Sequence, residues 1–169
     1  MKSALGLAEK DKGKRRACQV IANAGVAGLL GLLAWTYPEQ AILFQLMMAA
    51  SFASATADTL SSEFGNVYGR KFYNILTLKK DIKGLDGVVS FEGTVIGLAG
   101  SVIIAAIYAL PNGWSEGIIW IIIAGTTGNL SDSILGAALE RKNLLNNNAV
   151  NFLNTAIAAF VAFLLDTVY

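Results

Sequence analysis

The sequence contains no histidine, one cysteine (Cys18) and two prolines among its 169 residues. Without an imidazole there is no histidine base, which excludes the serine triad in its usual form and most zinc sites. A single cysteine cannot form an internal disulfide. Charged residues are also scarce, at 15% of the chain, where a soluble domain has roughly a quarter. These absences argue against a soluble hydrolase or zinc enzyme.

Apolar residues dominate what is present. They form 54% of the chain, and the mean hydropathy is +0.54. Five apolar runs have about the 20 residues that a membrane-spanning helix needs, and the first is too long for a cleaved signal peptide. We therefore predict an all-α, polytopic membrane helix bundle, a single membrane domain over residues 1–169 with one long loop at 60–87. The predicted spans are about 18–36, 40–59, 88–110, 117–139 and 149–168.

The basic residues predict the orientation of the bundle. The N-terminal segment, the 60–87 loop and the 140–148 loop hold six, five and two Lys/Arg, which are all thirteen in the chain. The positive-inside rule then places the N-terminus in the cytoplasm and the C-terminus outside. An interfacial belt of aromatic residues falls near the predicted outer boundary: Trp35, Tyr37, Tyr108, Trp114, Trp120 and Tyr169.

Polar side chains within the spans gather at the predicted cytoplasmic ends. Carboxylates at membrane depth are costly and by default functional. Because the polarity is one-sided, it argues against a channel or carrier path and favours a site that faces the cytoplasm. A lone asparagine can instead be a helix cap or an interhelical hydrogen bond, and both alternatives stay open for Asn151 and Asn154. The set is Asn23, Asp58, Glu63, Glu92, Asn129, Asp132, Asn151 and Asn154.

Five ordered motifs resemble the signature stretches of one membrane family. They are R-A-C-Q-V-I-A-N-A-G (16–25), A-D-T-L-S-S-E-F-G (57–65), V-S-F-E-G-T (89–94), N-L-S-D-S-I-L-G-A (129–137) and V-N-F-L-N-T (150–155). The chain resembles the integral membrane family DUF92, formerly of unknown function, which includes plant phytyl-phosphate kinase. The resemblance implies a kinase of an isoprenoid (phytyl or prenyl) monophosphate with CTP as donor. Family members usually carry further spans before the basic segment at which this chain starts.

The candidate residues suit that chemistry. Phosphoryl transfer depends on neutralised charge and positioning, and oxygen ligands hold Mg²⁺. We expect Asp58, Glu63 and Asp132 to be catalytic and to hold the metal. Candidate contacts of substrate and nucleotide are Asn23, Lys79, Lys80, Lys83, Glu92, Asn129, Asn151 and Asn154. The sequence has no Walker-type glycine loop, which excludes a P-loop kinase.

Two other functions stay open. One is an ion or small-solute transporter with Asp58 and Asp132 as its cation site. The other is a non-catalytic partner subunit. In every case we expect the lipid bilayer as a partner and no nucleic acid. Five spans with many glycine faces also predict a homodimer or a partner chain.

Overall fold

The computed structural model describes residues 17–169, so the basic segment that precedes Ala17 lies outside the described residues. Five long helices follow one another in the described part of the chain. All five are long and apolar enough to cross a membrane. This confirms the predicted all-α membrane bundle of five spans, while its orientation stays a prediction. The helices are α1 (Ala17–Thr36), α2 (Ala41–Tyr68), α3 (Phe91–Asn112), α4 (Gly117–Leu135) and α5 (Asn147–Val168).

Local chemistry sets several helix ends. A 3₁₀ turn at Pro38–Gln40 joins α1 to α2, with proline at a first-turn position that suits its fixed φ. The Ser90 hydroxyl accepts a hydrogen bond from the Gly93 amide and caps α3. The Asn146 side chain caps α5 in the same way by accepting from the Ala149 amide. Both caps satisfy backbone donors that a helix leaves unpaired in its first turn.

Helix α2 lies at the centre and contacts the other four helices. Its inner face consists largely of small residues, among them Ala50, Ala53 and Ala57, which are fully buried. Small side chains let helix backbones approach closely, which matters in lipid because apolar burial alone drives little association there. Larger apolar residues of three helices, Leu46, Tyr108 and Ile121, complete the core in the half of the bundle near the α3–α4 turn.

The outer faces of the helices remain apolar and exposed. Leu29 is 59% exposed, Ile103 54%, Ile119 55% and Phe160 57%. Such side chains, distributed over four helices, would be costly in water but are suited to contact with lipid tails. The exposed surface therefore agrees with a bundle that sits within a bilayer.

Helix α2 is longer than the predicted span, which ended near residue 59, and continues to Tyr68. Residues 60–68 contain one glycine and no proline, so nothing in the backbone stops the helix before Gly69. The rest of the long loop contains a short antiparallel pairing of Tyr73–Asn74 with Val88–Val89. The loop between α2 and α3 is thus an ordered hairpin, and it packs over one end of the bundle.

Candidate functional site

A polar cavity of about 180 Å³ lies at one end of the bundle. Its walls come from the last turns of α2 and α4, the first turns of α3 and α5, and the hairpin loop at residues 84–89. The cavity is therefore at the end of the helices where the sequence places most of its polar residues. Of the predicted site residues, Asp58, Asn129 and Asp132 line it.

The centre of the cavity is a pair of carboxylates. Asp58 on α2 and Asp132 on α4 lie 74 positions apart in sequence, yet both line this cavity and are close enough to interact electrostatically. Two carboxylates so close repel each other unless a proton or a cation lies between them. The pair is therefore suited to bind a positively charged group.

Asn154 of α5 fixes the orientation of Asp132. Its Nδ2 group donates to Asp132 Oδ1 at 2.7 Å, and its Oδ1 accepts from the Ser54 hydroxyl at 3.1 Å. Asn154 is completely buried, so its amide oxygen and nitrogen depend on these protein partners for their hydrogen bonds. The predicted binding residue Asn154 thus does not line the cavity and instead holds Asp132 by its Oδ1 from a buried position.

Asn129 occupies the next turn of α4 and connects to α2. Its Oδ1 accepts from the Ser61 hydroxyl at 3.1 Å. The side chain fits because Gly97 of α3 faces it: a Cβ at Gly97 would lie 2.7 Å from Asn129 Nδ2. The missing side chain at Gly97 of α3 therefore makes room for a polar contact between α2 and α4.

Two further carboxylates, Asp86 and Glu140, line the same cavity and were not predicted. Glu140 follows Asp132 by eight residues, about two helical turns, so helical periodicity could have found it. A π-helical turn at Gly136–Glu140 adjusts that spacing at the end of α4. Asp86 lies in a G-L-D-G turn, and nothing in the sequence indicated which helix that turn contacts.

The hairpin packs tightly on α4 through Gly87. Its φ is +70°, a left-handed conformation that glycine adopts without strain. A Cβ there would come within 2.5 Å of both the Ala137 amide nitrogen and the Ser133 carbonyl oxygen. Glycine at this position lets the loop form a close-fitting wall of the cavity.

Arg141 holds the same hairpin against α4. Its Nη1 donates to Asp81 Oδ2 at 2.8 Å, and its Nε donates to the Asp86 carbonyl oxygen at 2.5 Å. The Ile82 amide, which donates to Asp81 Oδ1 at 2.7 Å, and the Arg141 guanidinium hold the pKa of Asp81 below its usual range. We call this contact between Arg141 and Asp81 the hairpin latch.

The other two predicted acidic residues lie outside the cavity wall. Glu63 follows Asp58 by five residues, which turns it about 140° around the helix axis. The helical positions that share the Asp58 face are Ser61, Ser62 and Gly65, and these line the cavity. Glu92 is in the first turn of α3, where its Oε2 accepts from the Arg70 amide at 3.4 Å.

Asn23 and Asn151 are also placed elsewhere. Asn23 lines a separate groove between α1 and α2, and its Nδ2 donates to the Gln19 carbonyl oxygen of its own helix at 2.9 Å. Asn151 is buried one turn into α5, and its Nδ2 lies 3.5 Å from Asn147 Oδ1. Asn147 itself lines the cavity, whereas Asn151 does not.

The predicted basic residues lie on the hairpin, at the edge of the site. Lys79 and Lys80 are exposed near its tip. Lys83 lies with its ammonium group 5.8 Å from the centre of the Phe72 ring, and Phe72 lines the cavity. Within residues 17–169, no lysine or arginine is part of the cavity wall itself. The wall is therefore strongly acidic.

The donor set fits a cation that brings its own ligands. Across residues 17–169, no three His, Cys, Asp or Glu side chains are grouped so that they could hold a metal ion by themselves. Mg²⁺ does not require such a cage, because it commonly binds one or two carboxylates together with substrate phosphates and water. Asp58 and Asp132 provide two carboxylates, and Asn129 and Ser61 provide nearby neutral oxygens. The site is thus suited to a metal–phosphate complex more than to a bare metal.

Comparison with known proteins agrees with the sequence motifs. The family described as "Integral membrane protein DUF92" matches residues 1–159. The chain is 33% identical to Protein VTE6, chloroplastic, of Arabidopsis thaliana, over 98% of this chain and 52% of that protein. It is 35% identical to an uncharacterized membrane protein of Synechocystis sp., over 95% of this chain and 64% of the relative. An uncharacterized membrane protein of Methanocaldococcus jannaschii is 33% identical, over 96% of this chain and 69% of the relative.

The chain spans about half of the length of VTE6 and about two thirds of the other two relatives. No solved structure matches it. The family match covers more than nine tenths of the sequence and includes all five motifs. On that evidence the chain belongs to the DUF92 family of integral membrane proteins.

Proposed function

We propose that the protein is a membrane-embedded kinase that phosphorylates an isoprenoid monophosphate, of the phytyl or prenyl class, with CTP and Mg²⁺ at the cytoplasmic face. The observation that carries this proposal is the Asp58–Asp132 pair in a cavity at the polar end of the bundle. The resemblance of the motifs to a family that includes plant phytyl-phosphate kinase supplies the substrate class. Both lines point to phosphate chemistry at a membrane surface.

The reaction would join two phosphates. An oxygen of the lipid monophosphate attacks the γ-phosphorus of the nucleotide, the bond to the β–γ bridging oxygen breaks, and a lipid diphosphate and a nucleoside diphosphate result. A phosphate monoester is already a nucleophile, so the absence of histidine from the chain is no obstacle. Catalysis then depends mainly on positioning and on stabilising charge.

Bound Mg²⁺ would neutralise the phosphate charge and let the two anions approach. Asp58 and Asp132 would hold it, with Asn129 and Ser61 as neighbouring oxygen donors. Asn154 would keep Asp132 turned toward the cavity through its 2.7 Å hydrogen bond. The hairpin residues 84–89 would exclude water from the opposite side.

The lysines of the hairpin are proposed contacts of the nucleotide phosphates. Lys83 is one candidate, since its ammonium group lies over the ring of Phe72, which lines the cavity. Lys79 and Lys80 are exposed and flexible enough in their long side chains to approach a bound triphosphate. Their positive charges would complement the negative ligand at the rim of an acidic site.

The lipid tail is proposed to lie among the apolar helix faces, with its phosphate at the inner leaflet. This follows from the predicted N-in, C-out orientation, which puts the cavity on the cytoplasmic side. A homodimer or a partner chain is also proposed, because many large apolar side chains remain exposed on the described bundle.

The test uses purified protein in lipid nanodiscs with γ-labelled CTP, Mg²⁺ and phytyl or geranylgeranyl monophosphate. We expect labelled lipid diphosphate that forms only with Mg²⁺ and only with the lipid acceptor. A parallel measurement in sealed vesicles would follow cation uptake without nucleotide. Uptake together with no nucleotide consumption would favour the transporter and overturn the kinase.

A further inference from the structure

A second, open cavity of about 500 Å³ adjoins the first. The two cavities share three wall residues, Asp86, Glu140 and Asn147. Beyond these, the second cavity is lined by the connection between α4 and α5, residues 143–146. The shared walls place the two cavities side by side.

The walls of the second cavity have a different chemistry from those of the first. They add two amide side chains, Asn143 and Asn146, and two leucines, Leu144 and Leu145. Leu144 is 66% exposed, an uncommon position for a large apolar side chain beside a polar site. The wall is mostly polar, and the exposed leucines beside its amide groups offer a flat, polar ring both an apolar contact and hydrogen-bonding groups.

One end of the Asn146 amide already takes part in a hydrogen bond. Its Oδ1 is occupied by the cap of α5, where it accepts from the Ala149 amide at 2.9 Å. The Nδ2 group of Asn146 is therefore the donor that can bind a ligand. A ligand that meets it must present an acceptor, as ring nitrogens, ring carbonyls and ribose oxygens do.

The connection is held rigidly in place. The Asn143 amide donates to the Glu140 carbonyl oxygen at 2.8 Å, and the Leu144 amide donates to the Leu139 carbonyl oxygen at 3.0 Å. Asn143 has φ 57°, a left-handed conformation that asparagine tolerates better than most residues. A wall that is fixed before binding loses less entropy when a ligand arrives.

We infer that this second cavity binds the nucleoside part of the phosphate donor. The phosphates would extend from it, past Asp86 and Glu140, toward the Asp58–Asp132 pair. The inference rests on the proposed function, since it assumes that a nucleotide is the donor. It assigns recognition of the base and ribose to Asn143, Leu144 and Asn146, none of which the sequence pointed to.

Two substitutions remove the amides while they preserve the backbone. Asn143→Gly keeps a residue that adopts positive φ without strain. Asn146→Ser keeps a good helix cap but lacks the Nδ2 donor. Asn148→Ser, in the first turn of α5 and outside both cavity walls, is the matched control. Circular dichroism and thermal unfolding would verify that all three variants fold like the parent.

The measurement is equilibrium binding of labelled CTP with Mg²⁺, and its displacement by tripolyphosphate, which has phosphates but no nucleoside. Loss of one hydrogen bond should weaken CTP binding about fivefold. We expect that weakening for Asn143→Gly and Asn146→Ser, unchanged binding of tripolyphosphate, and unchanged CTP binding for Asn148→Ser.

The outcomes separate the two proposals. Unchanged CTP binding in both amide variants, or an equal loss of tripolyphosphate binding, would overturn the nucleoside cavity while the kinase proposal stands. Failure of tripolyphosphate to displace CTP from the parent would also overturn it, because the phosphates would then not occupy the first cavity. A parent that binds no nucleotide would remove the kinase proposal and the nucleoside cavity together.

Discussion

Replacing Asn154 by alanine should be among the most damaging single changes at the site. Asn154 donates to Asp132 Oδ1 at 2.7 Å from a fully buried position. Its loss leaves a carboxylate inside the bundle without its donor. Ser54, its other partner, keeps an acceptor, because its hydroxyl is also 3.3 Å from the Asn154 backbone carbonyl oxygen. The cost therefore falls mainly on Asp132.

The magnitude follows from the kind of hydrogen bond that is lost. A bond to a charged group contributes about 1.5–3 kcal/mol, whereas a neutral hydrogen bond between membrane helices averages about 0.6 kcal/mol. Ser54→Ala is the matched control, since it removes only neutral hydrogen bonds, to Asn154 Oδ1 at 3.1 Å and to the Asn154 backbone carbonyl oxygen at 3.3 Å. We therefore expect Asn154→Ala to lower the free energy of unfolding by at least about 1 kcal/mol more than Ser54→Ala.

The assay is reversible unfolding of both variants and the parent in mixed micelles, followed by the phosphate-transfer measurement. Asn154→Ala should also lower the rate of transfer, because Asp132 is no longer oriented. Equal losses of stability in the two variants, or full transfer by Asn154→Ala, would refute the role of Asn154 in positioning Asp132.

Three further predictions follow from the hairpin and the orientation. Arg141→Ala should release the hairpin and make its amides exchange faster. Since the Asp81 pKa is lowered from 3.8, the hairpin latch contributes above that pH and is lost as the pH falls through the lowered pKa. Below it, the difference between parent and variant should shrink to what the hydrogen bond from Arg141 Nε to the Asp86 carbonyl oxygen contributes. Gly87→Ala should lower the free energy of unfolding by at least about 1 kcal/mol through backbone strain alone. Gly28→Ala should not lower it, because a Cβ at Gly28 meets nothing within 4 Å. Equal effects of the two substitutions would contradict the close contact of Gly87 with α4. A reporter fused after Tyr169 should be found outside the cell, and a cytoplasmic reporter would overturn the assignment of the cavity to the inner leaflet.

Composition and spacing were enough to predict the helices but not their packing. Apolar runs of about 20 residues require helices in lipid, because no other open structure satisfies the backbone there. Helix α2 extends beyond the predicted span, since the prediction followed hydropathy while the helix continues through Gly65 to Tyr68 with no proline to stop it. The hairpin pairing of Tyr73–Asn74 depends on contacts with residues fourteen or more positions away, which no local pattern reports.

Only part of the site was predicted, because residues brought together by packing are not visible in a local sequence pattern. Asp58 and Asp132 stood out because a carboxylate at membrane depth is rare. Glu140 shares the face of Asp132 but was treated as part of a loop, and Asp86 reaches the cavity only because Gly87 lets the hairpin approach α4. The depth of Glu63 along its helix could be estimated from the sequence. Its position around the helix axis, five residues after Asp58, is what places it outside the cavity wall, and the prediction did not take that angle into account.

The Asp58–Asp132 pair is tested most directly by one transfer measurement. Purified parent, Asp58→Asn and Asp132→Asn are compared for transfer of label from CTP to a prenyl monophosphate at saturating Mg²⁺, with Asp166→Asn at the exposed far end of α5 as control. Each asparagine keeps the shape of the ligand but removes its charge, so transfer should fall at least about a hundredfold in both pair variants. The control should retain the rate of the parent. Turnover by Asp58→Asn or Asp132→Asn at the rate of the parent would contradict the proposed role of the pair.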